Sequence, residues 1–363
     1  MSTTLDEAHR LGQSIWLDSF DRAMLRSGSL KEMIEKKGLR GITSNPALFE
    51  KAIAQSDDYT DDIHSLSEGD KDNEQLFFDL AVKDIRQAAD LLLPVFRKDP
   101  SDGFVSLEVS PDLARDTEGT IRQAQRLWEQ VRRPNVMIKI PATKEGLPAI
   151  GECIRRGINI NVTLLFGLSR YQEVAHVYLE GLETRLSERQ SLQGVFSVAS
   201  FFLSRIDVLV DPMLDEKGMK ETKGQVAIAC ANAAYELYQG IFTSDRFSAL
   251  REAGARPQRL LWASTGVKDP AYPALKYVEA LMGHNTISTL PPETLHAFLE
   301  HGRPVEALGK NLSRYLAFLQ QLKQAGIDMD AVSYRLEEEG IEKFKAPFHK
   351  LLATIEAVRE KVH

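Results

Sequence analysis

Residues 136–142 read Val136-Met137-Ile138-Lys139-Ile140-Pro141-Ala142, a branched apolar run interrupted by one charge and closed by small residues. Its length and branching predict a β-strand. Alternation sets Met137, Lys139 and Pro141 on one face and Val136, Ile138 and Ile140 on the other. With the apolar triplet packed under helices, the lysine points inward. A strand lysine ordinarily snorkels to water from an edge. Flanked by two isoleucines it has no such exit, and desolvation there favours the neutral amine, the form that attacks a carbonyl.

Outward from this run the same kind of segment recurs. Residues 14–20 (SIWLDSF), 41–46 (GITSNP), 105–110 (VSLEVS), 158–166 (INI NVTLLF), 195–202 (VFSVASFF), 260–265 (LLWAST) and 285–290 (NTISTL) each read as a strand. Helical periodicity separates them: Leu76, Leu80, Val82, Ile85, Ala89 and Leu92 recur at helix spacing, as do Ile121, Ala124, Leu127 and Val131, and 226–241 is an alanine-rich helix. Strands alternating with helices argue for parallel βα units. Eight of them, with no GxGxxG after the first, predict a (β/α)8 TIM barrel with extra C-terminal helices. The stretch 47–103 must hold at least two helices. Polar-faced helices over 298–322 and 332–358 are expected to cover the barrel's outside or bottom. No linker or repeat marks a boundary, so residues 1–363 are expected to form one barrel domain.

Composition narrows the function. Lys plus Arg number 45 against 52 Asp plus Glu, with no basic stripe, which disfavours nucleic acid and membrane surfaces as partners. No apolar run approaches the roughly 18 residues of a membrane span. The polar, acidic start is unlike a signal peptide, and the two cysteines, Cys153 and Cys230, lack metal-type spacing. A cytoplasmic protein, monomeric or homodimeric, is expected.

In a barrel the strand C-termini build the site. The first strand brings Asp18, the second Asn45, the third Glu108 and the fourth Lys139. The fifth brings Asn161 and Thr163, and the sixth Ser200, with Arg205 just beyond. Asp18 and Glu108 can move the protons that imine chemistry requires, although Asp18 also fits a helix N-cap. Glu108 pairing with Lys139 would stabilise the charged amine, and a partial pairing through water reconciles the two roles. Arg205 and Ser200 suit a phosphate, onto which a guanidinium forks. No His/Cys/Asp cluster near these strand ends suggests a metal.

At these residues the chain resembles the transaldolase family. The blocks are Gly41-Ile42-Thr43-Ser44-Asn45-Pro46, Ile138-Lys139-Ile140-Pro141-Ala142-Thr143, Asn159–Phe166 (NINVTLLF) and Ser200-Phe201-Phe202-Leu203-Ser204-Arg205, in order along most of the chain. The resemblance implies a Schiff base on Lys139 with a ketose phosphate such as fructose 6-phosphate or sedoheptulose 7-phosphate. Asp18 would take the C4 hydroxyl proton, and Glu108, through a water near Thr163, would serve carbinolamine formation and dehydration. Asn45 and Asn161 would hold the dihydroxyacetone unit, which passes to erythrose 4-phosphate or glyceraldehyde 3-phosphate in the pentose phosphate pathway. The imine is the electron sink, so no cofactor or metal is implied.

The chain departs from the common pattern in three places. Pro141-Ala142-Thr143 stands where many members have Ala-Ser-Thr, and Phe201 replaces a proline. After the seventh strand the usual Ser-Phe-Arg is Ser264-Thr265-Gly266-Val267-Lys268, so the second phosphate arginine is missing and Lys268 is expected to act beside Ser264 as a point charge. Phe202 shares the face of Ser200 and should point into the site. Transferase members carry phenylalanine there and aldolase relatives tend to carry tyrosine. The rival readings are a fructose 6-phosphate aldolase and a barrel that has lost catalysis and serves as a binding module. Three ionisable groups at one strand end, each costly to bury, speak against the second.

Overall fold

A computed structural model describes residues 3–19, 21–67 and 70–360. Eight strands, β1 (Gln13–Asp18), β2 (Gly41–Thr43), β3 (Phe104–Glu108), β4 (Val136–Pro141), β5 (Ile160–Leu165), β6 (Ser197–Phe202), β7 (Arg259–Ala263) and β8 (Thr286–Leu290), pair in sequence order. β8 returns to β1, with Gln13 opposite Thr286 and Leu17 opposite Leu290, so the sheet closes as a parallel barrel. The expected (β/α)8 barrel is what forms. Phe20, the expected last residue of the first strand, lies outside the described residues.

The inner face carries the alternation read from the fourth strand. Met137 points toward the N-terminal end of the barrel interior, where it lines a cavity of about 290 Å³ with Ser14, Phe104, Val198 and Arg259. Two residues on, Lys139 faces a cavity at the opposite end. Val136, Ile138 and Ile140 are fully buried in the core.

Local sequence explains the helix starts. Asp72 caps Asn73–Lys98 by accepting from the Gln75 amide, and Asp116 caps Thr117–Val131 through the Gly119 amide. Between β2 and β3 stand the helices Pro46–Gln55, Thr60–Leu66 and Asn73–Lys98. Gly41 is needed for close approach: a Cβ there would meet the Trp16 indole at 2.4 Å.

The C-terminal region corrects the expectation in two ways. The stretch 298–322 is two helices, Pro292–His301 and Leu312–Gln324. Pro304 follows the first and cannot continue it, having no N–H and disfavouring helical geometry at Arg303. The last helix, Met329–Glu360, covers neither the outside nor the bottom. It runs across the C-terminal mouth, packing on Pro46–Gln55, Asn73–Lys98, Ser204–Glu216 and the end of β5. Periodicity marks which face of a helix is buried but not what buries it. Among the described residues no helix is long and apolar enough to cross a membrane.

Candidate active site

The C-terminal mouth holds a cavity of about 180 Å³ lined by Asp18, Asn45, Lys139, Ser200, Phe202, Arg205, Ser264 and Lys268, eight residues expected from the sequence. Lys139 is 4% exposed and Glu108 7%. They stand opposite each other in register on β3 and β4. The Lys139 Nζ donates to Glu108 Oε2 at 3.0 Å and to the Ser44 carbonyl at 3.2 Å. The pairing is therefore direct, not through water as expected. Burial pushes the Glu108 carboxyl above its ordinary range, Lys139 opposes that shift, and the negative charge of Asp18 adds to it.

Asp18 closes β1 and accepts from Thr43 Oγ1 at 2.7 Å, and Thr43 in turn meets the Thr289 hydroxyl at 2.8 Å. It is not a helix cap: Asp21 caps Arg22–Ser27 by accepting from the Met24 amide. A chain of hydroxyls thus holds the carboxylate at the cavity wall. Thr43 and Thr289 were not singled out in the sequence, although Thr43 lies inside the 41–46 block.

Asn161 sits behind the wall. It is fully buried, accepts from Ser200 Oγ at 2.6 Å and donates to Ser106 Oγ at 2.9 Å. Ser200 therefore lines the cavity with its proton already engaged. Thr163 is fully buried and its hydroxyl has no hydrogen-bond partner among the described residues.

Arg205 is the second residue of the helix Ser204–Glu216 that follows β6. The start of that helix is pinned to the end of β7: the Ser204 amide donates to the Ser264 carbonyl at 3.0 Å and the two hydroxyls meet at 2.8 Å. Ser264 holds this position with φ +54°, a left-handed conformation costly for a residue with a Cβ. Lys268 is exposed at the rim. Burial presses the Arg205 guanidinium below its ordinary value, while Glu339 and Asp18 pull it up. Phe202 is 7% exposed and packs against Phe166 with ring centroids 5.3 Å apart.

The roof was missed. Phe344 of the last helix lines the cavity, its ring centroid 5.6 Å from Lys139 Nζ. Nothing in the sequence near position 344 signals this, because the contact depends on where the helix docks. Among the described residues, the His/Asp grouping close enough to share an ion is His9, Asp99 and Asp102. It lies at the other end of the barrel, where Arg259 pairs with Asp102 at 3.4 Å.

An amine buried beside a carboxyl of raised affinity for protons, a second carboxylate at the wall and a guanidinium with a lysine at the rim suit covalent carbonyl chemistry on an anionic substrate. The family model for Transaldolase/Fructose-6-phosphate aldolase matches residues 15–355. A transaldolase of Thiobacillus denitrificans is 45% identical over 359 residues, covering 98% of this chain and 100% of the relative. A transaldolase of Trichodesmium erythraeum is 45% identical over 370 residues, covering 98% and 97%. One of Neisseria gonorrhoeae is 41% identical over 354 residues, covering 97% and 99%.

Proposed function

The chain belongs to the transaldolase/fructose-6-phosphate aldolase family, and from that membership we propose that it is a transaldolase working through a Schiff base on Lys139. The reading places a dihydroxyacetone unit in transfer from fructose 6-phosphate or sedoheptulose 7-phosphate to erythrose 4-phosphate or glyceraldehyde 3-phosphate. The observation that carries it is the buried 3.0 Å contact between Lys139 Nζ and Glu108. At 3.0 Å Glu108, whose proton affinity burial raises, stands where it can take the proton the amine must lose before it attacks the ketose C2.

Glu108 then returns the proton as the carbinolamine loses water, with Thr163 positioning that water. Asp18, held by Thr43, takes the proton of the C4 hydroxyl. The C3–C4 bond breaks, its electron pair enters the imine, and the aldehyde leaves with an enamine remaining on Lys139. Addition of the acceptor aldehyde and hydrolysis reverse the sequence. Asn45 holds the dihydroxyacetone hydroxyls at the cavity wall, and Asn161, expected to share that role, acts from behind the wall by orienting the Ser200 hydroxyl. Arg205, Ser264 and Lys268 receive the phosphate.

Phe202 favours transfer over release of dihydroxyacetone, because its ring offers no donor or acceptor to orient a water at the enamine. The chain is read as one domain over residues 1–363, acting on small sugar phosphates as a monomer or homodimer. A reducing cytoplasm suits its free, buried Cys153 and Cys230, whose thiols burial pushes up to about 12.

The test is borohydride reduction in the presence of fructose 6-phosphate, followed by peptide mass spectrometry. A three-carbon adduct is expected on the peptide holding Lys139, with neither adduct nor turnover in Lys139→Met. Label on a different lysine would refute the assignment.

A further inference from the structure

Arg205 is held in an unusual way for a partly buried cation. Its Nη1 is enclosed and has no hydrogen-bond partner among the described residues, and the carboxylates of Glu339 and Asp18 act on it only through their charge. Two aromatic rings stand beside it instead. Its Cζ lies 5.7 Å from the centroid of Phe202 and 5.9 Å from that of Phe344. Phe202 comes from β6, close to Arg205 in sequence. Phe344 comes from the last helix, across the mouth.

We propose that Phe344 is a positioning residue for Arg205, holding the guanidinium by a ring face so that its N–H donors other than the enclosed Nη1 stay available to the substrate phosphate. A ring attracts a cation through its quadrupole and takes none of its donors. A carboxylate would orient the guanidinium as well, but it would occupy two N–H groups in the fork that a phosphate needs. The same helix is shaped to bring the ring this close. One turn before Phe344, Gly340 faces the end of β5, and a Cβ there would lie 2.9 Å from Leu164 Cδ2 and 3.7 Å from Arg205 Nη1. A side chain at 340 would press on Leu164 and reach ordinary contact with the guanidinium. Phe344 is itself only 7% exposed.

The inference rests on Arg205 receiving the phosphate, and the experiment separates the two. In a ping-pong sequence, kcat/KM for the acceptor reports only steps from the enamine onward. It is measured for glyceraldehyde 3-phosphate and for unphosphorylated glyceraldehyde in Phe344→Leu, which keeps an apolar side chain but no ring, and in Phe344→Trp. Phe344→Leu should lose about 3- to 30-fold on the phosphorylated acceptor and clearly less on the other, and Phe344→Trp should recover most of the loss. Inhibition by inorganic phosphate should weaken in parallel. In an Arg205→Ala background the Phe344→Leu effect on the phosphorylated acceptor should vanish. Equal losses on both acceptors, or a full Phe344→Leu effect without Arg205, would overturn the proposal. Arg205→Ala sparing the phosphorylated acceptor would instead overturn the reading of Arg205, and absence of any transfer by the wild type would overturn the function.

Discussion

Glu108 and Lys139 occupy paired register positions on neighbouring strands and touch at 3.0 Å, each nearly closed to water. Burial is the largest influence on Glu108 and raises its affinity for a proton despite the lysine beside it. The native state therefore holds a proton on this carboxyl at pH values where the unfolded chain has lost it.

That relationship fixes a sign. Between the ordinary value near 4.5 and the raised native one, the native protein binds more protons than the unfolded chain, so this group's contribution to stability is full at low pH and lost as pH rises. Wild-type unfolding free energy should carry a component falling by up to about 1.4 kcal/mol per pH unit in that window. In Glu108→Gln the component should disappear. Urea titrations across pH 4.5–7 with identical slopes for the two proteins would show that Glu108 does not titrate there.

Asp18 is expected to act after the imine has formed. Asp18→Asn keeps the shape and the Thr43 contact but cannot accept the C4 hydroxyl proton. Borohydride with fructose 6-phosphate should then trap an intact six-carbon sugar phosphate on Lys139, where the wild type retains three carbons. A three-carbon adduct formed by the variant at the wild-type rate would remove Asp18 from the cleavage step.

The two cations should differ. Arg205 is half-buried with its Nη1 enclosed, whereas Lys268 is exposed at the rim. Arg205→Ala should cost about 2–4 kcal/mol in kcat/KM for glyceraldehyde 3-phosphate, and Lys268→Ala less. Both losses should shrink markedly with unphosphorylated glyceraldehyde. Losses independent of the phosphate would make these side chains structural.

Phe202 tests the partition between transfer and hydrolysis. Its ring lines the cavity against Phe166. Phe202→Tyr adds a hydroxyl able to orient water, so dihydroxyacetone release from fructose 6-phosphate alone should rise severalfold over the wild type. A wild type that already releases it as fast as it transfers would be an aldolase.

Gly41 tests the barrel wall. It packs against the fully buried Trp16 indole, so an added Cβ would force the strand or the ring to shift. Gly41→Ala should destabilise by about 1–3 kcal/mol through overpacking, visible as a lower Tm. An unchanged Tm would mean the indole can move.

The fold was legible because each strand carries its own local signal, and eight signals in order leave a closed parallel barrel as the arrangement that buries them. Lys139 was legible for a related reason: alternation along 136–142 separates its face from that of Ile138 and Ile140. Pairings between strands were less so. That Thr43 would hold Asp18, or that Ser200 would engage Asn161, depends on register between strands, which no single segment encodes. Phe344 was least legible. An amphipathic helix announces that one face is buried, and whether that face meets the barrel's flank or its mouth is decided by the loop before it.

The helix across the mouth gives the enzyme an order of assembly. Synthesis completes all eight strands, and with them the lysine, before it reaches Phe344. A nascent barrel would present its amine to the metabolites of its surroundings without its roof. Docking of the last helix is thus the event that encloses the amine, and it buries Leu336, Phe344 and Phe348 over the mouth in the same step.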